Sequence, residues 1–266
     1  MSWDYLIYFA IASVLLWTVG AWAAWKERTL LAFTSTIIGL AVFFSFIVAM
    51  WTALQRPPLR TMGETRLWYS FFLPLAGIIV YLRWKYKWIL SFSTLLALVF
   101  ICVNLFKPEI HSATLMPALQ SPWFAPHVIV YMFAYAVFGV ATLMALFLLW
   151  GTRRGQNGEM LTPCRMGSLD DLVYVGLAFM TIGMLFGALW AKEAWGHYWS
   201  WDPKETWAAI TWLAYLVYVH YRQMPSHRPR LALCILLLSF VLLQMCWWGI
   251  NYLPAAQGSS VHTYTT

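Results

Sequence analysis

Eighteen consecutive positions, Trp190 to Trp207, hold five tryptophans and a tyrosine, with Lys192, Lys204, Asp202 and Glu205 among them. Anchoring a helix end at a membrane surface takes far fewer rings. Such a stretch suits a flat apolar macrocycle carrying two carboxylates: Trp195, Trp199 and Trp201 offer faces for offset stacking, and Lys192 and Lys204 offer charge to the carboxylates. The competing reading is an interfacial amphipathic segment that floats its rings among lipid headgroups, and the dense spacing argues against it. Six histidines are present, none before His111: His111, His127, His197, His220, His227 and His262. Neutral imidazole is a common axial ligand of macrocycle-bound iron, and His127 and His262 bracket the aromatic segment in sequence. Taken singly, each also fits an ordinary solvated surface residue. His220 differs, because it falls inside an apolar run, where an ionisable group is costly and usually functional. A hydrogen bond to a neighbouring helix is its plainer role. His111, His197 and His227 read as solvated. Asp202 either caps the helix that starts near Thr206 or orients a ligand, and Glu205 reads as a first-turn acid facing the helix dipole. Cys102, Cys164, Cys234 and Cys246 form no C-x-x-C pair, which excludes a dithiol redox motif and leaves them as buried inert thiols. No acid, base or nucleophile constellation stands out.

The elements that position these residues are written in the hydropathy. Hydrophobic residues make up 62% of the 266, charged residues only 10%, and the mean hydropathy is +0.66, far from the composition of a soluble domain. Apolar runs of near-spanning length lie at 5–25, 30–52, 67–82, 88–106, 127–150, 170–190, 206–221 and 231–253, predicting about eight transmembrane helices and no sizeable soluble domain. The fold class is therefore an all-α integral membrane bundle with an outer tryptophan-rich loop at 190–207. It reads as a single polytopic domain over 1–266, with an N-terminal four-helix part (1–106) ahead of the part that carries the aromatic segment (107–266). The net charge of +7 sits in short clusters between apolar runs, a pattern of membrane orientation rather than of nucleic-acid binding. Lys26, Arg28, Arg83, Lys85, Lys87, Arg153, Arg154, Arg165, Arg222, Arg228 and Arg230 fall in one set of connections; Arg56, Arg60, Arg66, Lys107, Lys192 and Lys204 fall in the other. The richer set belongs inside, which places both termini and the aromatic segment on the outer face of the membrane. Arg56, Arg60 and Arg66 are the exception to that charge rule. The first run lacks a basic lead and a small-residue cleavage site, so it reads as a retained span.

With those residues in view, the chain resembles the cytochrome c assembly family of haem-handling membrane proteins. Trp195-Gly-His-Tyr-Trp-Ser-Trp-Asp-Pro-Lys-Glu-Thr206 matches that family's W-G-x-[YF]-W-x-W-D-x-K-E-[TV]. Its W-D-P-K-E-T ending is similar to the CcsA (ResC) branch rather than to CcmC or CcmF. Ser121-Pro-Trp-Phe-Ala-Pro-His127 and Arg56-Pro-Pro-Leu59 agree with the same branch. The resemblance implies haem b as cargo, ligated on the outer face by His127 and His262 over Trp195, Trp199, Trp201, Asp202, Lys192 and Lys204. At position 262 the family's L-H-S-Y stands here as Val261-His262-Thr263-Tyr264. It further implies an inner haem site at His220, completed by a histidine of a partner protein, CcsB (ResB). Fourteen residues separate His220 from Thr206, about 21 Å along a helix, so one haem cannot touch both. The implied function is haem export across a bacterial inner membrane, with presentation on the periplasmic side for attachment to apocytochrome c. As a holocytochrome c synthase component, the chain contributes mainly binding and delivery. Two rivals stand beside it. A b-type electron-transfer subunit needs paired histidines within spans, and only His220 qualifies; a membrane interaction protein that handles no haem needs none.

Overall fold

The computed structural model describes residues 3–111 and 121–253. The long helices are α1 (Leu6–Trp25), α2 (Thr29–Leu54), α3 (Met62–Trp84), α4 (Lys87–Phe106), α5 (Phe124–Arg153), α7 (Pro163–Trp195), α8 (Pro203–Gln223) and α9 (Pro229–Trp247), with a four-residue α6 (Asn157–Met160) between α5 and α7. No strand occurs among the described residues. Seven of the eight long helices are long and apolar enough to cross a membrane; α8 is not among them, since Lys204, Glu205, His220 and Arg222 crowd its two ends. The chain is an all-α membrane bundle, as its hydropathy predicts.

Its internal contacts divide it into two compact units, Met1–Thr114 and Leu115–Thr266. In the first, α1 packs against α2 and α4, and α3 against α4. Helix α3 begins at Met62, five residues ahead of the apolar run, because Thr61 and Glu64 form a capping box: Thr61 Oγ1 accepts from the Glu64 N–H at 3.1 Å, and Glu64 Oε2 from the Thr61 N–H at 3.2 Å. The Arg56 guanidinium grips the same carboxylate with two 2.9 Å hydrogen bonds. Glu64 is nearly inaccessible, so its charge requires that partner, and Arg56 is thereby neutralised. One of the three arginines that break the charge rule is thus held for structure. His111, expected to be solvated, instead stacks flat on Trp3 with ring centroids 3.6 Å apart. Burial holds its imidazole below the usual histidine value, against the pull of a hydrogen bond to the Asn104 backbone.

In the second unit α5 packs along α7 in the opposite direction: Gly187 of α7 faces His127, Gly183 faces Tyr131 and Gly176 faces Phe138. Small residues let transmembrane helices approach this closely. Helix α8 is fixed to both. Its Tyr215 stacks on Phe138 at 3.7 Å, and the Trp212 indole N–H donates to Thr181 Oγ1 at 2.9 Å. At the far end Asp170 of α7 accepts from the Tyr218 hydroxyl at 2.7 Å and from Arg222 at 2.7 and 2.9 Å. Helix α9 covers α8 and α5. The cysteines depart from the buried reading: Cys246 is buried, Cys102 partly so, and Cys164 and Cys234 are exposed.

Candidate functional site

The tryptophan-rich segment is mostly helix, in contrast to the loop expected over 190–207. Helix α7 carries Trp190 and Trp195, and α8 carries Trp207; only residues 196–202 connect them. Aromatic and charged residues at a helix end lower its hydropathy without lowering its capacity to stay helical, so the hydropathic boundary falls short of the structural one. Gly196 ends α7 in a left-handed conformation (φ 85°), where a residue without Cβ is unstrained. Lys192 donates to the Gly196 carbonyl at 2.8 Å and lies over the Tyr198 ring, which gives this lysine a capping task.

Glu205 organises the connection. Its Oε2 accepts from the Ser200 N–H at 2.7 Å, the Asp202 N–H at 3.2 Å and the Ser200 hydroxyl at 3.3 Å. Asp202 caps α8 in turn, accepting from the Lys204 N–H at 2.9 Å, while Pro203 occupies the first helical turn, where a missing N–H costs nothing. Both residues are buried. Asp202 is therefore a cap in this structure, as one of its two expected roles requires. Lys204 is half-buried in the first turn of α8. Within this pinned connection Trp201 adopts φ 61° and stands 70% exposed. A bulky residue in the left-handed region is a genuine outlier, and such strain persists where the surroundings over-determine it. Its ring is held outward, edge-on to Trp199 at 5.8 Å. The Trp199 indole nitrogen is buried and has no hydrogen-bond acceptor. An orphaned donor of that kind costs about 1–3 kcal/mol, and a ligand carboxylate is a group that would satisfy it.

His127 lies in the first turn of α5, half-buried. Its Nδ1 is 2.8 Å from the carbonyl oxygen of Gly183. A carbonyl can only accept, so Nδ1 carries the proton and, in the neutral ring, the lone pair resides on Nε2. The imidazole lies 5.7 Å from the Trp190 ring, which in turn meets Trp195 edge-on at 4.9 Å and Phe124 at 5.3 Å. Ser121 donates to the Glu193 carboxylate, and Trp123 stacks on Phe186, so the segment ahead of α5 is fastened to the end of α7. His127 and the first tryptophans of the motif thus form one cluster. Trp190 is 3% exposed and meets the imidazole, a role that its type alone does not reveal; its place at the motif's edge, next to an apolar run, is the signal for it in the sequence.

His262 lies outside the described residues. His220 is exposed in the last turn of α8, near the helix end rather than in mid-span. The site residues therefore divide. His127 and the aromatic cluster gather at the end of α7, and His220 stands at the opposite end of α8, separated by its length. Beyond it, His227 is not simply solvated: Nε2 meets Arg222 and Nδ1 the Met224 carbonyl. His197 is exposed, as expected.

Residues 61–256 match the profile of the cytochrome C assembly protein family. Similar proteins, each named "Cytochrome c biogenesis protein CcsA", occur in Trachelium caeruleum (30% identical, covering 82% of this chain and 80% of that protein) and Guillardia theta (32%, covering 90% and 87%). A third, in Parasynechococcus marenigrum strain WH8102, is 32% identical and covers 83% of this chain and 81% of its own. Histidine, tryptophan motif and helical frame thus fall within one match that spans most of the chain, and this chain belongs to the cytochrome c assembly protein family.

Proposed function

We propose that this chain acts in cytochrome c maturation as the protein that carries haem b across a bacterial inner membrane and presents it on the outer face to apocytochrome c. The observation that carries the reading is His127: a half-buried imidazole whose Nδ1 is committed to a helix carbonyl, set against Trp190 and Trp195. A histidine whose second nitrogen is held by a backbone acceptor is the usual state of one that ligates a metal. His127 and His262 are the axial pair, and the faces of Trp195, Trp199 and Trp201 take the macrocycle. The propionates would be taken by the Trp199 N–H, which is buried without an acceptor, and by Lys192 and Lys204. Haem brings the vinyl groups that the apocytochrome thiols attack; the chain contributes position, protection of the iron and exclusion of wrong geometries. Asp202 and Glu205 act one step back, by holding the connection in place.

His220 is the inner ligand in this reading. It is exposed on α8, and the absence of any histidine before His111 fits a second axial ligand supplied in trans by a partner, CcsB, with which the chain acts as a holocytochrome c synthase. The test is haem per protein, by pyridine haemochrome, in the complex purified from haem-replete cells. His127→Ala should lose most of the bound haem and abolish holocytochrome c while accumulating normally in the membrane. Wild-type haem content in that variant would falsify the outer-ligand assignment.

A further inference from the structure

The imidazole of His127 reaches the Gly183 carbonyl across a position that carries no side chain. Gly187 lies one turn beyond Gly183 on the face of α7 that meets α5, and a Cβ there would stand 2.7 Å from His127 Cε1 and 2.8 Å from Nδ1. Both are well inside van der Waals contact. Because a helical side chain leans toward the N-terminus and covers the turn before its own Cα, any side chain at 187 would lie over the carbonyl of 183. That carbonyl is the atom that holds Nδ1. We propose that Gly187 is a positioning residue for haem ligation: by leaving the Gly183 carbonyl uncovered it fixes the ring of His127, the proton on Nδ1 and the ligating role of Nε2. The inference rests on His127 being an iron ligand.

A glycine between packed helices has an ordinary use, close approach, and the same interface contains the control. At Gly176 an added Cβ would come within 2.6 Å of Phe138 Cε1, as crowded as at Gly187, and its three nearest atoms all belong to that phenylalanine ring rather than to a candidate ligand. Substitution at 176 perturbs helix packing alone. Substitution at 187 perturbs packing and the imidazole together.

The experiment titrates the purified full chain in detergent with haemin, reading affinity and the low-spin Soret signature, alongside thermal stability without haemin. Gly187→Ala should weaken haemin binding about tenfold or more, the usual effect of losing an outer-shell partner, and lower the low-spin fraction. Gly176→Ala should lower thermal stability to a similar degree and leave binding unchanged. In the His127→Ala background, Gly187→Ala should add no further loss, since both act through one ring. Should Gly187→Ala fail to accumulate, His127→Ala/Gly187→Ala decides: recovered accumulation places the clash on the imidazole, and continued failure assigns Gly187 to packing and overturns the proposal. Equal binding losses at 176 and 187, or undiminished binding in Gly187→Ala, also overturn it. Loss in His127→Ala without loss in Gly187→Ala removes this proposal alone. Undiminished binding in His127→Ala removes the ligand assignment, and the proposal with it.

Discussion

Trp201 concentrates two demands in one residue. Its backbone sits at φ 61°, which costs an L-residue about 1–2 kcal/mol, and its ring is among the most exposed large apolar groups of the chain. The strain is a cost to the fold and the ring gains only its edge contact with Trp199 there, so in the proposed function the ring's use is to meet haem. Trp201→Gly relieves the backbone and removes the ring; Trp201→Ala removes the ring and keeps the strain. Both should therefore retain less haem, while the glycine variant melts higher than the alanine variant by the equivalent of about 1 kcal/mol. Haem content and thermal melting in detergent separate the two effects. Equal melting would mean that position 201 leaves the left-handed region once its ring is gone, and undiminished haem would return Trp201 to the role of a membrane anchor.

Helix ends are the elements that set this site, and Glu205 shows how. One carboxylate oxygen takes two backbone N–H groups and a hydroxyl from the 196–202 connection, so removing it frees three donors together. Glu205→Ala should cost about 1–2 kcal/mol of stability and expose Trp199 and Trp201 to limited chymotrypsin cleavage; Glu205→Gln, which keeps an acceptor, should lie between it and the wild type. A cleavage pattern unchanged in both would release Glu205 from this task. The sequence contained much of this. Asp202-Pro-Lys-Glu205 is a capping box with proline at the first helical position, and Gly196 is a helix stop. All eight apolar runs lie in helices, seven of them in helices apolar enough to cross a membrane, where lipid demands internally satisfied backbones and only length and hydropathy are needed to see it; α8, with charged ends, is the exception. What could not be read was the extension of α7 to Trp195 and of α3 back to Met62, since polar and aromatic residues at an interface resemble a loop. Also hidden was the Gly183–His127 hydrogen bond, which links residues 56 apart and depends on how two helices face each other.

At the scale of the molecule, α8 joins the two proposed haem sites, which lie too far apart for one haem to occupy both. Its first turn closes the connection beneath the tryptophans, and its last turn carries His220, about 21 Å farther on at 1.5 Å per residue. The last turn is anchored as well. Asp170 binds Tyr218 and Arg222 on either side of His220 in sequence, which holds the helix end while the imidazole itself stays exposed to a partner. An exposed histidine on a fixed helix end suits a ligand shared between two proteins. If haem passes through that inner site, His220→Ala should reduce haem at the outer site even though His127 and the tryptophan cluster are untouched, because sites in series starve downstream of a block. The substitution should not disturb folding: His220 is exposed and makes no hydrogen bond or ion pair among the described residues, and losing an ionisable group near the membrane eases insertion. Loss of haem in that variant therefore reports transit. Added imidazole should restore loading if the missing contact is axial ligation. The measurement is haem per complex in protein matched for expression, with the His127→Ala variant as the comparison that empties the outer site directly. Full outer haem and normal cytochrome maturation in His220→Ala would leave a protein that gathers haem on the outer face alone, with the end of α8 serving only to hold the bundle.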